Sequence, residues 1–424
     1  MTISFNRLLC AAAVVVLPAA SLQAQTLQGF AVLPADTFAP GPTSGQFIAP
    51  ANGSVPPYLD QQPVQGVSSV LATKGGDYLV MSDNGFGAQP NSPDYVLRFY
   101  RISPEFKTKR GGSGAIAVKS FVTLSDPYRK AGFPIVADRE LYPNSAIPVD
   151  QAIRTGRLLT GGDFDIESFR QAPDGTYWFG EEFGPFLLHT DRHGRLLEAP
   201  YPLPGVQAPQ NPFLNGATPN LPGSRGFEGM AITPDGKTLY PLLEGALTTD
   251  PDPRRLLINE FSIRDRRYTG RQFAYRMESS AHAIGDFTAV TKRLFLVIER
   301  DGFQGAQAAF KKIFLVNLDD VDQEGFLVKR EVADLLNIRD PHNLGGQGAT
   351  FRFPFVTIES VIPFNRRTIG VLNDNNYPFS AGRTPGLPDP NEFIILRLDA
   401  PLVGDDDDKD DDRDHDQEKD RKQD

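Results

Sequence analysis

Short runs of alternating apolar and polar residues, separated by turn residues, recur along most of this chain. In the clearest unit, residues 225–244, two apolar runs flank Pro234-Asp235-Gly236. This pattern predicts a β-hairpin, because strand side chains point alternately to opposite faces and Pro-Asp-Gly favours a tight turn. Similar units recur about every 50 to 100 residues, with almost no helical periodicity. The prediction is an all-β fold, a β-propeller.

The hairpins predict five blades, and a sixth is left open if residues 125–162 contain a degenerate one. The N-terminal run 28–33 is strand-like but has no hairpin of its own, and the last strand, 392–398, has room for a neighbour. We expect these two segments to pair, because pairing would close the ring and remove an exposed sheet edge.

Acidic residues return at two places in the aligned hairpins. Eight of the ten aligned positions are acidic, although acids make up only 53 of the 424 residues. The first position, early in the first strand, is Ser68, Glu167, Glu228, Asp286 and Glu359. The second position, at the end of the second strand, is Asp83, Glu182, Glu244, Glu299 and Asn373, which Asp374 follows. The start of one strand lies beside the end of the next in an antiparallel hairpin, so each pair should meet.

Equivalent positions of a propeller's inner strands face one shared channel, so these side chains predict a ring of carboxylates at its mouth. Carboxylates so close together would raise one another's pKa unless a cation neutralised them. Oxygen ligands without thiolate favour a hard divalent cation, and calcium is the first choice. Two other interpretations stay open: the acids cap strand ends, or calcium only holds the blades together.

Three further residues are candidates for chemistry. Arg225 and Arg300 stand next to the acidic positions, where a guanidinium group could hold phosphate oxygens beside a cation. Glu181, next to Glu182, is the candidate for an unligated carboxylate that acts as general base. Each arginine could equally pair with a neighbouring acid. His282 and His342 are interpreted as structural hydrogen-bonding residues.

The chain ends differ in composition from the rest. Residues 1–24 have a charged start, an apolar run and a small residue before Gln25, which predicts a cleaved export signal and a periplasmic or secreted protein. The one cysteine, Cys10, lies in that segment. Residues 404–424 carry twelve acids and five bases and predict a disordered acidic tail. A single propeller domain is therefore expected over residues 25–403.

The net charge limits the class of partner. The tail accounts for −7 of the net charge of −10, which leaves about −3 for all preceding residues. This balance argues against nucleic acid as a partner. No stretch after residue 24 is long and apolar enough to predict a transmembrane segment. We expect a monomer that acts on a small molecule.

Six short segments together resemble a known family. They are GDFDIES (162–168), GEEFGP (180–185), RGFEGMA (225–231), ERDG (299–302), TIESV (357–361) and NDNNY (373–377). In this order they resemble the phytase-like domain, described as having esterase-like activity, over residues 27–398. The resemblance implies a secreted bacterial β-propeller, similar in plan to calcium-dependent propeller phosphatases, and a phosphoester or related ester as substrate. Two residues depart from the pattern: Ser68 replaces an acid, and Ser360 replaces a glycine.

The leading functional hypothesis is a calcium-dependent hydrolase of phosphoesters. A lactonase-type propeller would also use a central calcium ion, but it would have less use for Arg225 and Arg300. A third hypothesis is a calcium-stabilised propeller that binds an extracellular partner without catalysis.

Overall fold

The strands of this protein follow one another as hairpins, as the alternating pattern predicts. The computed structural model describes residues 25–404; the predicted export signal and, apart from Gly404, the predicted acidic tail lie outside these residues. The first strands are β1 (Thr26–Leu33), β2 (Phe38–Pro40) and β3 (Gln61–Pro63). The first sheet contains β4 (Val67–Ala72), β5 (Tyr78–Ser82), β6 (Arg98–Glu105) and β7 (Ala115–Thr123).

Three more four-stranded sheets follow. The second contains β8 (Ile166–Gln171), β9 (Tyr177–Glu181), β10 (Phe186–Thr190) and β11 (Tyr201–Pro202). The third contains β12 (Phe227–Ile232), β13 (Thr238–Leu243), β14 (Arg255–Ser262) and β15 (Arg267–Arg276). The fourth contains β16 (Ala283–Ala289), β17 (Leu294–Arg300), β18 (Lys311–Val321) and β19 (Leu327–Asp334).

The last sheet uses both ends of the described chain. After the short strands β20 (Ile338–Arg339) and β21 (Thr350–Phe351), it consists of β22 (Thr357–Asn365), β23 (Thr368–Asp374), β24 (Asn391–Arg397) and β1. Strand β1 is antiparallel to β24, with Thr26 opposite Arg397 and Leu33 opposite Asn391. The predicted closure of the ring by an N-terminal strand is confirmed. One further parallel pair, Val32 with Ala115, joins this sheet to the first.

The five sheets are arranged as a ring. The first strands of the sheets, β4, β8, β12, β16 and β22, contact one another in that order, and β22 contacts β4. Apolar side chains fill the space between neighbouring sheets; Tyr240 of the third sheet, for example, packs on Phe295 of the fourth. The predicted all-β, propeller-like architecture is confirmed.

Turn residues fix the hairpins locally. In Pro173-Asp174-Gly175, the glycine has a φ of 84° and its amide donates to the carbonyl of Ala172 at 2.9 Å. Oδ1 of Asp174 accepts a hydrogen bond from the amide of Thr176 at 3.0 Å. Aspartate thus satisfies the turn backbone while glycine adopts the left-handed conformation, which other residues adopt at a cost.

The longest departure from the repeat contains no named strand. Residues 125–162 include the 3₁₀ turn Val136–Asp138 and the helix α1 (Gln151–Gly156), with Asp150 accepting a hydrogen bond from the amide of Ala152. Two other 3₁₀ turns cover Gln89–Asn91 and Gly305–Gln307. The helices found in residues 25–404 are too short or too polar to cross a lipid bilayer.

Candidate functional site

The acidic residues meet where the first strand of each sheet begins and the second strand ends. A cavity of about 420 Å³ opens there. Two arginines, Arg225 and Arg300, and eight carboxylate side chains line this cavity, which we call the acidic cavity. The carboxylates are Asp83, Asp165, Glu167, Glu182, Glu228, Glu244, Glu359 and Asp374.

A β-bulge places the first set of residues. In every sheet the pairing of the first two strands skips one residue of the first strand, and the skipped residue has no partner opposite it. The skipped residues are Ser68, Glu167, Glu228, Gly285 and Glu359. The bulge explains why the three acids among these residues line the acidic cavity. Ser68 instead donates a hydrogen bond to Oε2 of Glu359 at 3.2 Å.

The second set follows from the same register. Ala283 lies opposite Arg300, and Thr357 lies opposite Asp374. In the other three sheets, the amides of Asp83, Glu182 and Glu244 donate to the carbonyls of Gly66, Asp165 and Gly226. The equivalent second residues are therefore Asp83, Glu182, Glu244, Arg300 and Asp374.

In the fourth sheet, both aligned positions predicted from the sequence are wrong by one residue. In the fifth sheet, the second position is Asp374, so the predicted Asn373 precedes it by one residue. Gly285, not Asp286, occupies the bulge, and Arg300, not Glu299, occupies the second position. A Cβ atom at Gly285 would lie 2.0 Å from the carbonyl oxygen of Ile358. The neighbouring strand therefore leaves no room for an acid there, which alignment of the sequence alone does not reveal.

The three displaced residues have other partners and do not line the acidic cavity. Asp286 forms an ion pair with Arg170 at 3.0 Å and accepts a hydrogen bond from the amide of Val361. Arg170 belongs to the second sheet and also donates to Ser69 of the first, and Val361 belongs to the fifth. These contacts therefore tie four sheets together. Asn373 accepts from the amide of Glu392 at 2.7 Å.

Glu181 is buried away from the acidic cavity. Its carboxylate accepts hydrogen bonds from the amides of Asp165, Phe183 and Gly184 at 3.2, 2.8 and 2.9 Å. Burial raises its pKa to about 8, against the opposing effect of these hydrogen bonds. These bonds tie the carboxylate to the turn after β9 and to the backbone before β8, so the geometry does not support its predicted role as a spare general base.

Arg300 is an internal cation of the acidic cavity. Its Nη2 lies 2.7 Å from Glu359, 3.8 Å from Glu228 and 4.0 Å from Glu244. The side chain is only 9% exposed. Its guanidinium group therefore binds these acids and not the phosphate oxygens that the sequence analysis suggested. Arg225 is different: it pairs with Glu244 at 2.8 Å, but 44% of its side chain is exposed at the rim.

Burial raises the pKa values of most carboxylates of this cavity. It raises the pKa of Asp165 to about 6 and that of Asp83 to about 7, where the charge of Asp165 adds to the effect. Burial and the neighbouring Asp374 raise the pKa of Glu359 to about 8. Burial also raises the pKa values of Glu167, Glu182 and Glu228 well above the ordinary range. Two arginines are too few to compensate eight carboxylates.

Two groups of carboxylates are close enough to share a cation. Ligand atoms of Asp165, Glu167 and Glu182 lie within 4.8 Å of one another, as do those of Glu182, Glu228 and Glu244. Asp165 Oδ1, Glu182 Oε1 and Glu228 Oε1 are buried without a hydrogen-bond partner. Buried carboxylate oxygens without donors are rare, and their chemistry fits a hard divalent cation.

Asp165 and His282 also line the acidic cavity, although the sequence analysis assigned neither to the site. Asp165 lies across the ladder from Glu182 in the segment GDFDIES, so its cross-strand position was the available signal. His282 comes from the loop between the third and fourth sheets, and no spacing in the sequence brings it to the site.

Comparison with known proteins identifies the family. Residues 62–377 match the family called Phytase-like and described as "Esterase-like activity of phytase". The chain belongs to the Phytase-like family. The match covers all three carboxylates at bulges and both arginines of the acidic cavity, and it confirms the resemblance drawn from the six segments.

One relative is an uncharacterized secreted protein of Arthroderma benhamiae. It is 29% identical over 109 residues, which cover 22% of this chain and 21% of the relative. The chain thus aligns with about a fifth of that protein's length.

Two solved structures match this chain at low identity and low structural similarity. A luciferin-regenerating enzyme is 12% identical with a TM-score of 0.36, and the match covers 81% of this chain and 83% of the enzyme. A GH43 β-1,3-galactosidase is 10% identical with a TM-score of 0.41, and the match covers 83% of this chain and 59% of the galactosidase. Scores below 0.5 establish nothing about activity.

Proposed function

We propose that this protein is a calcium-dependent hydrolase of ester bonds that acts on phosphoesters outside the cytoplasm. The observation that carries the proposal is that buried oxygens of Asp165, Glu182 and Glu228 accept no hydrogen bond in a cavity with eight carboxylates. Membership of a family described by esterase-like activity supports hydrolysis, and the sequence of residues 1–24 supports export.

The two groups of three carboxylates would hold the cation, and Glu182 belongs to both. When bound, a divalent cation would neutralise these acids and polarise the ester towards attack by water. Arg225, at the rim, is the cation that can reach a phosphate oxygen. Arg300 holds Glu359 and reduces the excess negative charge, so its role is to support the arrangement of the acids.

Carboxylates outside the two groups could accept the proton of the attacking water. Asp83 and Asp374 line the acidic cavity from the first and fifth sheets. Each keeps hydrogen bonds from nearby backbone amides, those of Gly85 and Asn376 at 2.8 and 2.6 Å. These bonds fix the position of the carboxylates, which a general base requires.

The test compares hydrolysis of phosphomonoesters, phosphodiesters, carboxylesters and lactones by chelated protein and by protein resupplied with calcium. We expect phosphoester turnover that chelation removes and calcium restores. Glu228→Gln preserves shape but removes one charge, so it should lower kcat/KM by at least about 100-fold. Glu140→Gln, at an exposed position, is the matched control and should leave activity unchanged.

Two other outcomes of this test would contradict the proposal. Turnover unaffected by chelation and by Glu228→Gln would refute the metal mechanism. A rise in melting temperature with calcium, but no turnover of any ester, would favour the binding-propeller alternative.

A lactonase-type activity is the second candidate. The observation in its favour is that Arg300 is occupied by Glu359, which leaves Arg225 as the one exposed guanidinium group of the acidic cavity among the described residues. An uncharged lactone would need no further cation. Faster turnover of lactones than of phosphomonoesters in the same panel would select this candidate.

A further inference from the structure

A second cavity adjoins the acidic cavity beside the third sheet. It has a volume of about 490 Å³ and is lined mainly by residues of the segments 244–253 and 277–282. Arg225, Glu244, Ala281 and His282 line both cavities, so these residues form a shared wall. A molecule larger than a phosphate group could therefore occupy both at once.

This adjoining cavity differs in chemistry from the acidic one. Ala246, Leu247, Pro253 and Met277 give it an apolar part. Its acid Asp250 forms an ion pair with Arg255 at 3.3 Å. No lysine lines either cavity in residues 25–404, and the arginines that do are already paired with acids. A ligand with several negative charges would find almost no compensating cations.

His282 in the shared wall is held in a defined orientation. Its Nδ1 lies 2.8 Å from Oε1 of Glu299, and its ring packs on Phe310 with a centroid distance of 4.3 Å. Glu299 is fully buried and also accepts hydrogen bonds from the hydroxyl of Tyr275, Nζ of Lys329 and the amide of Glu278. Within residues 25–404, Nε2 of His282 has no hydrogen-bond partner.

A carboxylate that accepts a hydrogen bond from one ring nitrogen fixes the tautomer and leaves the other nitrogen for proton transfer. Glu299 fulfils that requirement here. Because Glu299 offers an acceptor at Nδ1, Nε2 of His282 is the ring nitrogen that can transfer a proton. The glutamate placed among the metal ligands by the sequence alignment is thus the residue that orients His282.

We propose that the two cavities form one substrate site in which His282 protonates the departing alcohol oxygen. The adjoining cavity would hold that alcohol, and its lining selects an uncharged and partly apolar group. This inference rests on the proposed function, because it concerns the leaving group of the same ester hydrolysis.

The step balances as a general acid reaction. Water attacks the phosphorus or acyl carbon, and the bond from that atom to the ester oxygen breaks, with its electron pair staying on the oxygen. The oxygen takes the proton from Nε2 of His282. The proton lost by the attacking water passes through a carboxylate of the acidic cavity to solvent, and a solvent proton restores Nε2–H. One water is consumed for each ester.

His282→Asn tests the proposal, because asparagine keeps a donor on the Nδ1 side that can reach Glu299 but lacks Nε2. The substrates are aryl and benzyl esters of whichever acid the wild-type protein releases. General acid catalysis matters most for poor leaving groups. We expect kcat/KM to fall by about 100-fold or more for the benzyl ester and by less than about 10-fold for the 4-nitrophenyl ester. His342→Asn, at an exposed histidine, should change neither rate.

A second measurement tests the alcohol subsite in the folded wild-type protein. A naphthyl ester should have a lower KM than the phenyl ester, and Leu247→Gln should remove this difference. Inositol hexakisphosphate, a polyanion, should be a poor substrate and a poor competitor.

Two results would overturn the inference while the proposed function survives. One is an equal loss of activity for all leaving groups in His282→Asn; the other is a preference for inositol hexakisphosphate over the aryl esters. Absence of turnover of every ester by the calcium-loaded wild-type protein would instead refute the proposed function.

Discussion

At the scale of the residue, three kinds of buried carboxylate coexist around the ring. Asp286 is paired with an arginine, and Glu181 is surrounded by backbone amides. Glu182 and Glu228 each keep an oxygen that accepts no hydrogen bond, and the nearest cation to that of Glu228 is Arg300 at 3.8 Å. Burying a charge is costly unless a partner compensates it, so the last kind is the one that favours either protons or a cation. All of these residues are Asp or Glu, so residue type does not distinguish the three kinds. A difference of one residue in position, as between Glu181 and Glu182, does.

The pH dependence of stability follows from these acids. Burial raises the pKa values of Asp83 and Asp374 to about 7 and that of Glu359 to about 8. Between their ordinary values and these values, the folded protein binds more protons than the unfolded chain. Stability of the metal-free protein should therefore fall as the pH rises from about 5 to about 8.

Thermal and urea unfolding with chelator at both pH values measure this effect. The loss should be at least about 1.4 kcal/mol, the equivalent of one pKa unit in one group. Asp83→Asn should reduce the slope, whereas the exposed Asp60→Asn should not. A chelated protein that is equally stable at both pH values would contradict the raised pKa values.

At the scale of the element, the bulge in each first strand decides which side chains face the acidic cavity. Because strand side chains alternate, one inserted residue moves its neighbours to other positions. In the fourth sheet the bulge residue is Gly285, whose missing side chain allows close contact with β22. The fourth sheet thus contributes no acid from its bulge, and its second position contributes the cation Arg300.

Gly285→Ala should therefore destabilise the ring. The added Cβ would lie 2.0 Å from a backbone carbonyl oxygen, which cannot rotate away as a side chain could. We expect a loss of at least about 1–3 kcal/mol, the usual cost of overpacking. Gly302→Ala is the control, because a Cβ there meets no atom within 4 Å. Equal urea midpoints for the two variants would show that β16 and β22 separate easily.

At the scale of the whole molecule, the ring depends on a strand that is distant in sequence from its partner. Strand β1 lies between β24 and the first sheet, and it contributes the fully buried Leu27 and Ala31 and the almost buried Leu33. Without it, β24 would present a free edge that could pair with another molecule. The same ring brings the loops that contribute Arg225 and His282 to one opening.

A chain that begins at residue 34 should be less stable than one that begins at Gln25. Loss of two buried leucines alone should cost about 3 kcal/mol or more, and the free edge of β24 should promote association. Thermal unfolding and light scattering measure the two effects. Equal melting temperatures and a monodisperse truncated chain would contradict the role assigned to β1.

The sequence by itself determined the hairpins, their turns, the N-terminal closing strand and the gathering of acids at one opening. These features follow from the alternation of apolar and polar residues and from the residue types in the turns. Both are local properties that can be seen directly in the sequence. Glu167, Glu228 and Glu359 were placed correctly for that reason.

Only the tertiary structure decided which neighbour in the fourth sheet faces the acidic cavity, and which residues outside the repeats join it. The bulge register depends on contacts between sheets, such as that of Gly285 with Ile358, and a strand pattern carries no signal for it. His282 reaches the shared wall because its loop joins two sheets of a closed ring, and Glu299 orients it from β17. These contacts between distant residues depend on ring closure, so no local rule could have predicted them.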